Sequence, residues 1–514
     1  MKNLKWFVLL IMLFCSLSLT PVVAEVRLPA IISDNMVLQQ GPGAPLWGWA
    51  DPGEKVTVSG NWQSKPWRTT ADSNGKWQVR IDSPKNGGPY VITVTGENTI
   101  TIKNVICGEV WVCSGQSNMG MRVGGTNNSK QEIAAADYPD IRLFAVARKV
   151  ADQPQDDCRG RWSICSPETI AGFSATAYFF GRELHQKLHV PVGLIGASWG
   201  GSPVGAWTRH QILEADQDFV PIIERYKQAV IDYPENMEKY KQQLEQWKED
   251  VEKAKAEEEK PPRQPRTPFG PGHRNSPAGL YNGMIVPLIP LAIRGVIWYQ
   301  GEANTRRAWQ YRKLFPAMIR SWRQDWGRGD FPFLYAQIAP FQGYGKGGRV
   351  CPELQEAQSM ALSLPNTGMA VTTDIGNIED IHPRNKQDVG KRLALWAFSK
   401  AYGQSLVYSG PLYKSMQVEG DKIRLFFDHV AGGLVARGGP LTFFTIAGED
   451  EQFVPAQAVI DGETIVVSSD QVPTPVAVRF AWINEAEPNL FNKAALPASP
   501  FRTDDWLCTT FDRR

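Results

Sequence analysis

Three polar turns, each directly after an apolar run, hold residue types that can do chemistry together. The run 105–113 ends in Ser114-Gly115-Gln116-Ser117-Asn118-Met119. A serine in such a turn stands at the carboxyl edge of a parallel sheet, where open α/β sheets place their sites. It becomes a useful nucleophile only beside a base; taken alone, Ser117 reads first as a helix N-cap. Met119 holds the last position of what would be Gly-x-Ser-x-Gly, which disfavours an ordinary α/β-hydrolase elbow. The run 192–197 leads into Ser198-Trp199-Gly200-Gly201-Ser202. Two glycines leave backbone N–H groups unobstructed, as an oxyanion requires, although a plain tight turn has the same composition. The run 293–299 ends in Gln300-Gly301-Glu302-Ala303-Asn304, where an amide can donate to an oxyanion without titrating.

A base must come from six histidines. His185 and His189 fall on a helical stretch, His210 opens a charged insertion, and His429 lies in a late β-rich region. His273, in a proline-rich loop, is a reserve candidate. His382 stands in Glu379-Asp380-Ile381-His382-Pro383, between a strand and a helix, with carboxylates two and three residues before it that can fix its tautomer. Asp-x-His alone reads as a structural loop; three other polar strand ends in the same sheet reverse that preference.

The elements that must position these residues are legible in the pattern. Residues 25–104 alternate in short stretches such as 55–58 and 90–94, broken by Gly, Pro, Asn and Asp, and predict a small β-sandwich-like domain. From about 104, apolar strands (105–113, 141–146, 192–197, 293–299, 333–337 and 369–373) alternate with amphipathic helices (175–188, 307–323, 352–362 and 386–401). This predicts a parallel α/β domain over 105–405. Residues 211–260, rich in Glu, Lys, Gln and Ala, read as a charged helical hairpin, either a lid, an interaction arm or a solvated spacer; a proline-rich stretch follows to Pro277. From about 406 to 514 the chain is β-rich again.

The first 24 residues read as a secretory leader: Lys2 and Lys5, an apolar run from Trp6 to Leu19, then Val22-Val23-Ala24. The expectation is an exported protein, periplasmic or extracellular, with no membrane span. Losing Lys2 and Lys5 leaves 53 basic against 53 acidic side chains, without the excess charge of a nucleic-acid binder. With 42% apolar and 21% charged residues the chain is globular. Export permits disulfides, and Cys158 with Cys165 is the pair nearest in sequence. No spacing suggests a zinc site, and no metal or organic cofactor is expected.

The segments Cys107-Gly108-Glu109-Val110-Trp111-Val112-Cys113-Ser114-Gly115-Gln116-Ser117-Asn118-Met119, Trp298-Tyr299-Gln300-Gly301-Glu302 and Asp380-Ile381-His382-Pro383-Arg384-Asn385-Lys386 resemble the blocks of the bacterial sialate O-acetylesterase family, within the SGNH/GDSL hydrolase superfamily. Asn35-Met36-Val37-Leu38-Gln39-Gln40 belongs to the same likeness. The resemblance implies a flavodoxin-like, three-layer α/β/α catalytic domain and removal of acetyl groups from sugars. It implies Ser117 as nucleophile, His382 as base, and Gly201 and Gln300 beside the Ser117 N–H as oxyanion donors. Many SGNH enzymes carry Asp three residues before the histidine; here Glu379 holds that position, so Asp380 is the expected third member, with Glu379 and Asp374 as competitors. Alternatives are an acetylxylan or other plant-glycan acetylesterase, a lipase or thioesterase, and a non-catalytic carbohydrate-binding protein on the same fold.

Overall fold

The computed structural model describes residues 25–514; the expected leader lies outside the described residues. One strand, Thr99–Gly115, organises the molecule. Its first residues alternate between solvent and core and pair antiparallel with Gly87–Thr95 in the N-terminal β region. From Val105 onward every residue is buried, as a strand covered on both faces requires. The change of pattern near 104 is therefore a change of surroundings along one continuous strand.

Val192–Ser198 and Gly295–Tyr299 flank this strand in parallel, and Phe333–Ala336 and Thr367–Ala370 extend the sheet beyond Gly295–Tyr299. Numbered along the chain, these five strands lie in the order 2-1-3-4-5, that of a doubly wound sheet. Tyr138–Ala145 adds a parallel strand beside Val192–Ser198, and antiparallel Trp162–Cys165 closes that edge, so the whole sheet is mixed. Helices Ala175–Leu188 and Lys386–Lys400 cover one face, meeting Trp111, Leu194, Ile297 and Leu334. Helices Ala308–Trp326 and Val350–Met360 cover the other, meeting Val112, Ile195, Val296 and Trp298. Tyr311, Leu314, Phe315, Met318, Ile319 and Trp322 recur every three or four residues, which gives Ala308–Trp326 one apolar face. A C-terminal β region with its own core flanks the sheet and docks through Thr509 and Thr510, which donate to the buried Glu353.

Two expectations are corrected. The insertion is not a helical hairpin: after the short helix His210–Ala215, one 37-residue helix, Val220–Ala256, runs out and an extended segment returns. The prolines at 261, 262, 265 and 268 lack the N–H a second helix needs. The return is fastened to the helix by Trp247, whose indole donates to Pro262 O (2.9 Å), and by Phe269, whose ring lies 5.6 Å from that of Tyr226. Cys158 and Cys165 are free, because they pack into different cores on opposite faces of the sheet. Burial pushes both thiols up to about 12.

Candidate active site

The polar turns expected to carry chemistry all lie at the carboxyl edge of the parallel strands. Gly115 has φ +138°, and a Cβ there would fall 2.2 Å from the Tyr299 carbonyl, so only glycine lets the serine strand pass this close to its neighbour. Gln116 N–H donates to Tyr299 O (2.9 Å), the Gln116 side-chain oxygen accepts from Ala303 N–H (3.2 Å), and Trp199 N–H donates to Gly115 O (3.0 Å). The three strand ends are thus sewn together around Ser117, which is half-buried at the start of the short helix Ser117–Gly120. A Cβ on Gly200 would sit 3.3 Å from the Ser117 Cβ, so the glycine turn presses on the serine. Ser114 is fully buried in the strand.

His382 lies on the loop before the Lys386 helix, and its side chain is 44% exposed. Among the described residues no hydrogen bond joins it to Ser117. Asp380 Oδ1 accepts from the His382 backbone N–H (2.9 Å) and lies 3.7 Å from Nδ1, too far for a hydrogen bond to the ring. Asp374 is taken by Arg392 through two bonds of 2.6 and 2.7 Å, and Glu379 is exposed.

Beneath this pair lies a buried polar knot that sequence reasoning gave no role. The Asn118 amide donates to Ile381 O (3.0 Å) and to the Glu302 carboxylate, while its oxygen accepts from Lys386 Nζ (2.8 Å). Asn118, next to the serine, therefore holds the residue before His382. Glu302 Oε2 is buried without a partner among the described residues, and burial raises the pKa of this carboxyl, opposed by Asn118, Lys386 and His382. Lys386 is fully buried, with Nζ 5.1 Å from the Tyr299 ring centroid. Burial brings its pKa down to about 7, with Glu302 and Asp380 opposing.

That shift sets a test. Below about pH 7 Lys386 is charged in both folded and unfolded chains, and the burial penalty acts in full. Between about 7 and its ordinary range only the unfolded chain holds the proton, so stability rises with pH. From pH 7 to 9 the melting temperature of the wild type should climb by a few degrees relative to Lys386→Met. A difference independent of pH would mean that Lys386 keeps its proton in the folded chain.

Gln300, expected to donate to the oxyanion, has partners of its own here. The side chain is fully buried, and its amide donates to Ser202 O (3.2 Å) and to Asn304 Oδ1 (2.7 Å), so both N–H groups are committed. Asn304 Oδ1 also accepts from Val204 N–H (2.9 Å), and among the described residues the Asn304 NH₂, at the wall of a cavity, has no acceptor. Position in the Gln300–Asn304 turn was readable; the direction of each amide was not.

The profile of the carbohydrate esterases described as sialic acid-specific acetylesterases matches residues 107–259 and 277–398. The sialate O-acetylesterase of Homo sapiens is 30% identical over 523 residues, 92% of each chain, and that of Rattus norvegicus is 30% identical over 501 residues, 89% of each. A solved carbohydrate acetylesterase from Xanthomonas citri superposes with TM-score 0.80 and 38% identity, covering 94% of this chain and all of that one. Fold and matches class the protein as a carboxylic ester hydrolase, a carbohydrate esterase. The chain belongs to the sialic acid-specific acetylesterase family of those enzymes.

Proposed function

We propose that the chain removes O-acetyl groups from carbohydrates through an acetyl-serine intermediate, on a three-layer SGNH-type domain spanning 105–405 with β domains at 25–104 and 406–514. The observation that carries this reading is Ser117 pressed against the Gly200-Gly201 turn and tied through Asn118 to the His382 loop. His382 Nε2 takes the Ser117 proton as Oγ attacks the acetyl carbonyl. The oxyanion accepts from the N–H groups of Ser117 and Gly201, neither of which has an acceptor among the described residues. His382 then protonates the departing sugar hydroxyl, and water releases acetate. Asp380 is the acid that turns the ring. The relatives' names support an acetylated sugar as substrate, and the leader-like first 24 residues support export to the periplasm or beyond. Acetate release from a panel of acetylated glycans tests the reading; release from none of them overturns it.

The third oxyanion donor is Asn304, held by Gln300. Asn304→Ala should lower kcat by on the order of 10²–10³ with a smaller change in KM, because the bond matures in the transition state. Gln300→Ala should follow it at lower amplitude by freeing Asn304. If Gln300→Ala costs more than Asn304→Ala, Gln300 itself turns toward the oxyanion.

A further inference from the structure

A cavity of about 710 Å³ contains neither Ser117 nor His382. It lies beside them, between the arm helix Val220–Ala256, the returning segment and the Glu302–Arg307 turn, and meets the site at Asn304. Arg225, Arg266, Arg307 and Lys239 line it against one acid, Asp232. Arg274 stands where the cavity approaches the glycine turn: a Cβ on Gly201 would lie 3.5 Å from its Nε and Nη2, and that Nε is buried without a partner among the described residues.

Two of the cations have partners: Lys239 pairs with Glu235, and Arg225 donates to an oxygen of the final residue, Arg514. Among the described residues, Arg266, Arg274 and Arg307 form no ion pair, and Arg307 reaches Ala303 O only at 3.4 Å. Burial, and then the like charge of Arg307, lowers the Arg225 pKa, so the two guanidinium groups feel each other. By contrast, the buried Arg392 and Arg479 sit on acids, Asp374 and Asp504. Unpaired cations around one recess repel, and an anionic ligand relieves that repulsion. Arginine forks fit carboxylates through paired hydrogen bonds. The family match runs over 107–259 and 277–398, and Arg266, Phe269 and Arg274 lie in the stretch between.

We propose that this recess binds an acidic glycan chain, with carboxylates of sugars beyond the acetylated one seated on Arg225, Arg266 and Arg307. Only the placing of the acetylated sugar rests on the esterase reading.

The test uses the whole chain. A galacturonic acid trimer without acetyl groups, and xylotriose as neutral counterpart, are titrated calorimetrically into wild type and R225Q/R307Q. The wild type should bind the acidic trimer about tenfold more tightly, with an affinity that falls as salt rises. The double variant should lose about tenfold for the acidic trimer alone. Arg266→Gln, on the exposed return, repeats the measurement if the double variant does not fold. Equal wild-type affinities, equal losses for both trimers, or no measurable binding of the acidic trimer overturns the proposal. Turnover of 4-nitrophenyl acetate separates the two readings: acidic-trimer binding without turnover sinks only the esterase assignment, and turnover without charge preference sinks only this one.

Discussion

Ser117→Ala is expected to lower kcat on an acetyl ester by about 10³-fold or more with little loss of fold, because nucleophile and base act as a unit. The structure says why the fold should survive. The serine turn is held by main-chain bonds from Gln116 and Trp199 and by the Asn118 side chain, none of which uses the Ser117 hydroxyl. The neighbouring hydroxyl, Ser114, makes the sharper comparison. It is fully buried in the strand, and its Oγ has no hydrogen-bond partner among the described residues, so it cannot meet a sugar ester. Ser114→Ala should therefore leave turnover within a few-fold of wild type. Single-turnover acetate release from both variants decides the matter: loss in Ser114→Ala with activity kept in Ser117→Ala would remove Ser117 from the mechanism.

The strands were readable because burial on both faces writes continuous apolar runs. The expected 192–197 and 333–337 differ by one residue from the observed Val192–Ser198 and Phe333–Ala336, and the helix at 175–188 coincides with Ala175–Leu188. The edge of the sheet was readable for the same reason, since each run stops at a polar turn. The arm was misread because charged side chains three and four apart, such as Lys241 with Glu238 and Lys248 with Glu245, fit one long helix as well as two short ones. No glycine interrupts Val220–Ala256 to mark a turn, and Pro234 is carried inside the helix. The Asn118–Lys386 bond joins residues 268 apart, which no local spacing encodes. Gln300 shows a further limit: an amide at a strand end announces hydrogen bonding, while its partners depend on packing from Ser202 and Asn304.

The acid that turns His382 carries the other large effect. An orienting carboxylate must reach Nδ1 while Nε2 faces Ser117. Of the candidates read from sequence, Glu379 is exposed and Asp374 is locked on Arg392, which leaves Asp380. Its Oδ1 is the one carboxylate oxygen among the described residues within 4 Å of a His382 ring nitrogen, and closing 3.7 Å to a hydrogen bond takes a shift of less than about 1 Å. Unliganded sites often show such bonds long and tighten them on substrate. The structure adds a rival: Glu302, buried beneath the loop, with an oxygen unpartnered among the described residues and a pKa that His382 helps to lower. Asp380→Asn separates the roles cleanly, because asparagine can still accept from the His382 backbone N–H yet stabilises the wrong tautomer of the ring. It should keep the fold and lower kcat by as much as ~10⁴-fold with little change in KM. Glu379→Gln should be nearly silent. Glu302→Gln should cost less than Asp380→Asn, since it keeps an acceptor for the Asn118 amide and changes the ring only at a distance. A mild Asp380→Asn beside a severe Glu302→Gln would move the orienting role to Glu302 and leave Asp380 as a cap on the loop. Two mild phenotypes would leave Ser117 and His382 working as a dyad.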